Sequence, residues 1–158
     1  MNDPHQMVPQ HLVEAPSVVE DLSVDECVKL LGTRHLGRLA VTRPSGPIII
    51  PVNYVWSAGR VIFRTSPRNA WATALRHGAA AFEVEDINEI THSGWTVLVQ
   101  GDSRCLQVTD DDNADLEALR PWAAGDRPLH IAITPSSITG RRLRPQWWLR
   151  AKDVQANG

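Results

Sequence analysis

Cysteine is scarce in this chain of 158 residues: there are two, Cys27 and Cys105. Domains stapled by disulfides carry them far more densely, so a disulfide scaffold is excluded and both are expected as reduced core thiols. Net basicity is missing too. Sixteen Lys and Arg stand against eighteen Asp and Glu, for a formal net charge of -2. Sequence-independent nucleic-acid binding needs an excess of cations to neutralise phosphates, so no nucleic-acid partner is expected. No run approaches the ~20 apolar residues of a membrane span. The N-terminal stretch has no cationic segment followed by an apolar one, so no signal peptide is read and a cytoplasmic location is expected. The histidines at 5, 11, 35, 77, 92 and 130 show no ligand spacing, and no metal site is expected. G-x-S-x-G, H-E-x-x-H and P-loop motifs are all absent.

What remains is a globular composition, 42% hydrophobic and 22% charged, of a length that suits one domain. Residues 1–20 carry Pro4, Pro9 and Pro16 and read as a mobile or loosely docked arm. Residues 21–150 read as the folded domain and 151–158 as a tail. Ser23 is a good N-cap, Glu26 completes a capping box, and Val24, Cys27, Val28, Leu30 and Leu31 form an apolar helical face that stops at Gly32. The period then changes to two. "GRLAVTR", "IIIPVNYVW" and "RVIFRTS" read as an antiparallel meander, with Pro51 marking an edge or a bulge. A short helix is expected at 70–77, then strands in "AAAFEVEDI" and "GWTVLVQGDSRCLQV" with a bend at Gly101. "DDDNADLEALRPW" reads as a helix opened by carboxylates, and "LHIAITPSSITGRRLRP" as a sixth strand bending at Pro135. The pattern predicts a mainly β fold with short helices: a six-stranded antiparallel barrel, because the strand–helix alternation of a doubly wound sheet is missing.

Four stretches carry candidate chemistry. "FRTSPRN" puts Arg64, Thr65, Ser66, Arg68 and Asn69 between a strand and a predicted helix. Hydroxyls, an amide, free helix N–H groups and guanidinium charge suit a phosphate, although Ser66 or Asn69 could simply cap the helix. In "THSGWTVLVQG", Gly94 permits close backbone approach and Trp95 offers a flat face to a planar ligand or a plug for the barrel end. "LRPWAAGDRP" is a loop containing Trp122 that either closes over a site or packs on the wall. "GRRLRPQWW" suggests local anion binding or a subunit contact, whereas Glu83 and Glu85 fall on one solvated face.

Together these stretches, with "PVNY", "FRT", "SGWTVLVQG" and "PWAAG" in this order from about Leu22 to Leu143, resemble the pyridoxamine 5'-phosphate oxidase-like family, most closely its short actinobacterial-type members. The resemblance implies a split β-barrel of the flavin-reductase and oxidase kind, forming a homodimer with the cofactor at the subunit interface. It implies an isoalloxazine along Pro51, Val52, Asn53 and Tyr54, and a phosphate at Arg64, Thr65, Ser66 and the turn that follows. Trp95, Gln100 and Trp122 would reach the same site. Relatives commonly place a lysine just after this turn; here Asn69, Ala70 and Trp71 stand in that neighbourhood and Arg68 is the nearest cation. The implied cofactor is FMN, with the deazaflavin F420 as the alternative. The implied activity is flavin-dependent oxidation or reduction of a small molecule, with a non-catalytic flavin- or haem-binding barrel, or one without ligand, as the competing class. No protein acid or base is implied.

Overall fold

The computed structural model describes residues 17–107, 116, 119, 122 and 125–145. Within them the order is β1 (Ser17–Asp21), α1 (Val24–Leu31), β2 (Leu36–Arg43), β3 (Gly46–Ser57), β4 (Arg60–Thr65), a 3-10 helix (Ala72–Leu75), β5 (His77–Asn88), β6 (Ser93–Cys105) and β7 (Leu129–Pro145). The strands are antiparallel in the order β1-β7-β4-β3-β2-β5-β6, and β6 also pairs with β7. That second pairing closes β2 to β7 into the predicted six-stranded ring.

The core follows from period-two alternation. Leu39 and Val41, Val52 and Tyr54, Val61 and Phe63, Phe82 and Val84, Val97 and Val99, and Ile131 and Ile133 all point inward, one pair from each ring strand. Burying each aliphatic or aromatic side chain contributes roughly 1.5–3 kcal/mol. The helix α1 closes one end, burying Cys27 and Leu31. Its capping box forms as predicted: Glu26 N–H donates to Ser23 Oγ and the Ser23 N–H to the Glu26 carboxylate. Tyr54 ties helix to barrel, its buried hydroxyl donating to the Leu31 carbonyl at 2.7 Å while its ring meets Phe82 edge-on.

The bend at Gly101 is real. The β6–β7 register shifts there, from Gln100 opposite Ser137 to Gly101 opposite Pro135. A Cβ at Gly101 would overlap the Thr134 carbonyl oxygen, so only glycine lets β7 bulge inward.

Four expectations need correction. There is a seventh strand: residues 17–20, read as arm, belong to β1, which pairs with the end of β7. Its partners are the "GRRLR" arginines. Arg144 binds Glu20 at 2.7 Å, Arg142 binds Glu26 at 3.3 Å and Arg141 lies 3.9 Å from Asp21. Arg142 and Arg144 are thus paired within the chain, while Arg141 stays largely exposed; Trp147 and Trp148 lie outside the described residues. The helix at 70–77 shrinks to four 3-10 residues, because β5 starts at His77 and residues 77–78 pair with Arg104 and Ser103. Cys105 is exposed and not a core thiol. Of the helix read in "DDDNADLEALRPW", only Leu116, Leu119 and Trp122 are described. Leu116 and Leu119 pack with Ile62 and Ala132 in a second, smaller apolar cluster.

Candidate functional site

One stretch of the ring is left without a neighbour. Residues 46–53 of β3 pair with β2, but pairing with β4 begins only at Tyr54. The Tyr54 N–H donates to the His35 carbonyl at 3.0 Å, on the β2 side. Backbone groups alternate sides along a strand, so Pro47, Ile49, Pro51 and Asn53 turn theirs the other way, toward the unpaired side. Pro47 and Pro51 thus forfeit no ladder hydrogen bond, and the edge expected from Pro51 is found. Proline also protects such an edge against pairing with another strand.

The far wall of this gap is the "FRTSPRN" segment. A cavity of about 270 Å³ is lined by Ile50, Pro51, Val52 and Asn53 on one side and Arg64, Asn69, Trp71 and Arg127 on the other. It adjoins a second cavity, of about 490 Å³, lined by Ser66, Pro67, Arg68, Asn69, Gly125, Asp126, Arg127 and Pro128. Asn69 and Arg127 belong to both. The long groove has a backbone-edged end beside β3, with Arg64 on its far wall, and a more polar end where Arg68 and Arg127 stand with Asp126.

The turn is held by its own hydrogen bonds. The Asn69 N–H donates to the Ser66 carbonyl at 3.1 Å, and the Arg68 N–H to Ser66 Oγ at 3.3 Å. Asn69 Nδ2 donates to Thr65 Oγ1 at 2.9 Å, and Thr65 is fully buried. Thr65 therefore props the turn from beneath. Arg64 donates through Nε to the Arg127 carbonyl at 3.0 Å, which binds the loop before β7 to the groove wall. The 3-10 helix is too short to supply the aligned N–H groups expected of a helix N-terminus, so the cationic end rests on side chains. Behind it stands His130, opposite Arg64 in the β4–β7 register. Burial, and secondarily the Arg64 charge, hold its imidazole below the ordinary histidine range.

Of the residues singled out in the sequence, the structure gathers Pro51, Val52, Asn53, Arg64, Ser66, Arg68 and Asn69 along this groove. Tyr54 is buried in the core beneath it. Trp122 joins through its backbone, its N–H donating to Asn53 Oδ1 at 2.9 Å. Trp95 and Gln100 are not brought to the groove within the chain. Trp95 sits between Asp86 and Arg142 and packs against the core near α1. Gln100 lies on the outer sheet face, in a hollow with Ala40, Ala81 and Ser136. Arg127 and the second cavity were not anticipated from sequence. Their signal was "GDRP", where an arginine follows a turn glycine with a positive φ, inside the loop read only for its tryptophan.

On the outer face Ile49, Ala40, Ala81, Gln100 and Ser137 are successive cross-strand partners, and Ile49 is 70% exposed. Glu85, expected to be solvated, is paired with Arg38 at 2.6 Å beside Pro51. Among the described residues no three His, Cys, Asp or Glu side chains group as a metal site, and no helix is long and apolar enough to cross a membrane.

A family model described as pyridoxamine 5'-phosphate oxidase matches residues 23–142. The Mycobacterium tuberculosis protein Rv0080 is 33% identical over 132 residues, covering 79% of this chain and 86% of that protein. An FAD binding protein from Mycobacterium smegmatis superposes with a TM-score of 0.64 at 28% identity, covering 80% of this chain and 100% of that one. An FAD-binding protein from Mesorhizobium loti reaches 0.65 at 20% identity, over 80% of this chain and 98% of that one, a likeness of fold alone.

Proposed function

The chain belongs to the pyridoxamine 5'-phosphate oxidase family, and from that premise we propose that it holds a flavin in the groove beside β3 and serves as a flavin-dependent oxidoreductase for a small molecule. The observation that carries this reading is the pairing of an open strand edge with a cationic turn across one continuous gap. A flat heterocycle with a polar rim needs backbone donors and acceptors along one edge, and the unpaired side of Pro51 and Asn53 offers them. A phosphate needs cations and hydroxyls, and Arg64, Arg68, Arg127 and Ser66 offer those.

The second cavity favours FAD over FMN. A ring would lie in the first cavity, and Arg68 and Arg127 stand beyond it where a first phosphate would lie. The space past Asn69, about 490 Å³, is more than a single phosphate requires and has room for a nucleotide tail. The M. smegmatis FAD binding protein is consistent with this choice. F420 remains a probe to be tested beside both.

When bound, a flavin supplies hydride or electron transfer at its ring. The chain's own work is different. The β3 edge and the wall facing it would hold the ring, with Val52 and Trp71 supplying apolar contacts. The arginines would neutralise the phosphate end. No lining residue of the first cavity is a carboxylate, imidazole, thiol or phenol, so proton exchange falls to solvent or substrate.

A second copy of the chain completes this reading. The outward row of Ile49, Ala40, Ala81, Gln100 and Ser137 suits an isologous contact, and it runs beside the groove at Pro51. Gln100 then belongs to the subunit interface rather than to its own chain's groove.

The test is a titration of the purified protein with FAD, FMN and F420, read by quenching and by the flavin absorption bands. Uptake of FAD, tighter than FMN, is expected. A chain that takes up none of the three is not a flavoprotein; bound flavin that no reductant or acceptor turns over belongs to a storage protein.

A further inference from the structure

Asn53 lies where a flavin ring would be read, and its carboxamide is already committed at both ends. Oδ1 accepts the Trp122 N–H at 2.9 Å, and Nδ2 reaches the His35 carbonyl at 3.4 Å. The side chain thus joins three separate segments: the loop after α1, the open edge of β3 and the loop that carries Trp122. One amide N–H and one lone pair remain, and the backbone of the same residue still faces the groove.

Its partner is unusual in a complementary way. Trp122 is 73% exposed, the most exposed of the chain's large apolar residues described here. A lone exposed apolar residue needs no explanation. This one is different because a side-chain hydrogen bond from the groove wall pins its backbone at the groove's rim. Ordering an exposed loop residue costs conformational entropy, and among the described residues Trp122 belongs to neither apolar cluster. Trp122 lines neither cavity, but its backbone is tied to Asn53, which lines the first, and an indole carried there suits a flat ligand, to which aromatic faces stack.

We infer that Asn53 is a positioning residue: its carboxamide latches Trp122 at the rim so that the indole stacks on the ring of the flavin held beside β3. The inference rests on the flavin reading above. It assigns Asn53 a task distinct from touching the cofactor with its side chain, and it makes Trp122 of the same chain, rather than a partner's, the group that covers the ring.

A double-mutant cycle on the full chain tests it, with FAD as probe. Trp122→Ala keeps the backbone N–H and so keeps the Asn53 bond while removing the indole. Asn53→Ala keeps the indole and releases it. Each single variant is expected to weaken FAD about fivefold, the scale of one uncharged hydrogen bond or one modest stacking contact. Each also raises the fluorescence of the bound flavin, which a stacked indole quenches. The double variant binds no worse than Trp122→Ala alone, because the Asn53 side chain acts through the indole. Additive losses, or bound-flavin fluorescence unchanged in Asn53→Ala, overturn the latch and make Asn53 a direct contact.

A second measurement needs no ligand. In protein labelled with 5-fluorotryptophan, the Trp122 signal is the one missing from Trp122→Phe. It shifts in Asn53→Ala and stays near its original position in Asn53→Asp, which retains the acceptor oxygen. An unshifted signal in Asn53→Ala overturns the latch even if FAD binds. A shifted signal in a chain that takes up no flavin supports the latch and removes the flavin reading instead.

Discussion

Replacing Arg68 with alanine separates a phosphate site from an ordinary charged turn. Arg68 is exposed at the cationic end of the groove, its backbone fixed by Ser66 Oγ, so truncation leaves the turn intact. A hydrogen bond to a charged group contributes about 1.5–3 kcal/mol. Exposure and salt reduce that, which puts the expected loss near 1.5 kcal/mol, or about tenfold in Kd. The assay is a fluorescence titration of wild type and Arg68→Ala with FAD, FMN and riboflavin at low and high salt. Riboflavin has the ring and ribityl chain but no phosphate. The loss should appear for FAD and FMN, shrink as salt rises, and vanish for riboflavin. Equal losses for all three would show that Arg68 acts through the fold. No loss for FMN would show that the phosphate lies elsewhere.

Three further outcomes follow from the fold. Tyr54→Phe keeps the ring against Phe82 but leaves the buried Leu31 carbonyl without its donor. It should cost about 1–2 kcal/mol in urea unfolding, with an unchanged m-value, and lower Tm by about 2–4 °C per kcal/mol. Glu26 is held below the usual carboxylate range by the Ser23 backbone N–H first, then the Ser23 hydroxyl, with Arg142 assisting. A group whose folded pKa is depressed stabilises above its unfolded value and loses that contribution as pH falls through the folded one. Glu26→Gln should therefore flatten the acid side of a stability–pH curve below the ordinary value of 4.5 and leave its neutral part nearly level. Ala81→Arg, placed in the middle of this outer row, should turn a dimer into a monomer in sedimentation without unfolding it. A variant that keeps the wild-type mass means the contact uses another face.

Much of this was legible in the residues, for local reasons. Period-two apolar alternation marks all six ring strands, because one face of each is buried. The capping box at Ser23 and Glu26 is a short-range signal, as is the β-bulge that requires Gly101. What escaped depends on partners far away in the chain. β1 is only five residues, "SVVED", and becomes a strand because its backbone pairs with the end of β7, about 120 residues on. The helix expected at 70–77 gave way to tertiary pairing of His77 and Gly78 with β6. For the site, residue types in "PVNY" and "FRTSPRN" pointed to the correct groove. They could not show that Thr65 is buried under its turn, that the Asn53 carboxamide is spent on Trp122, or that Arg127 joins two cavities. Each of those depends on how β3, β4 and β7 meet.

The central claim is that the gap between the β3 edge and the Ser66–Asn69 turn is a flavin site. A crystal structure of the protein grown with FAD tests it most directly. The prediction is a ring against the backbone of Pro51 and Asn53, a diphosphate between Arg68 and Arg127, and the nucleotide in the second cavity. A flavin found away from β3, or a groove left empty in crystals grown with saturating FAD, contradicts it.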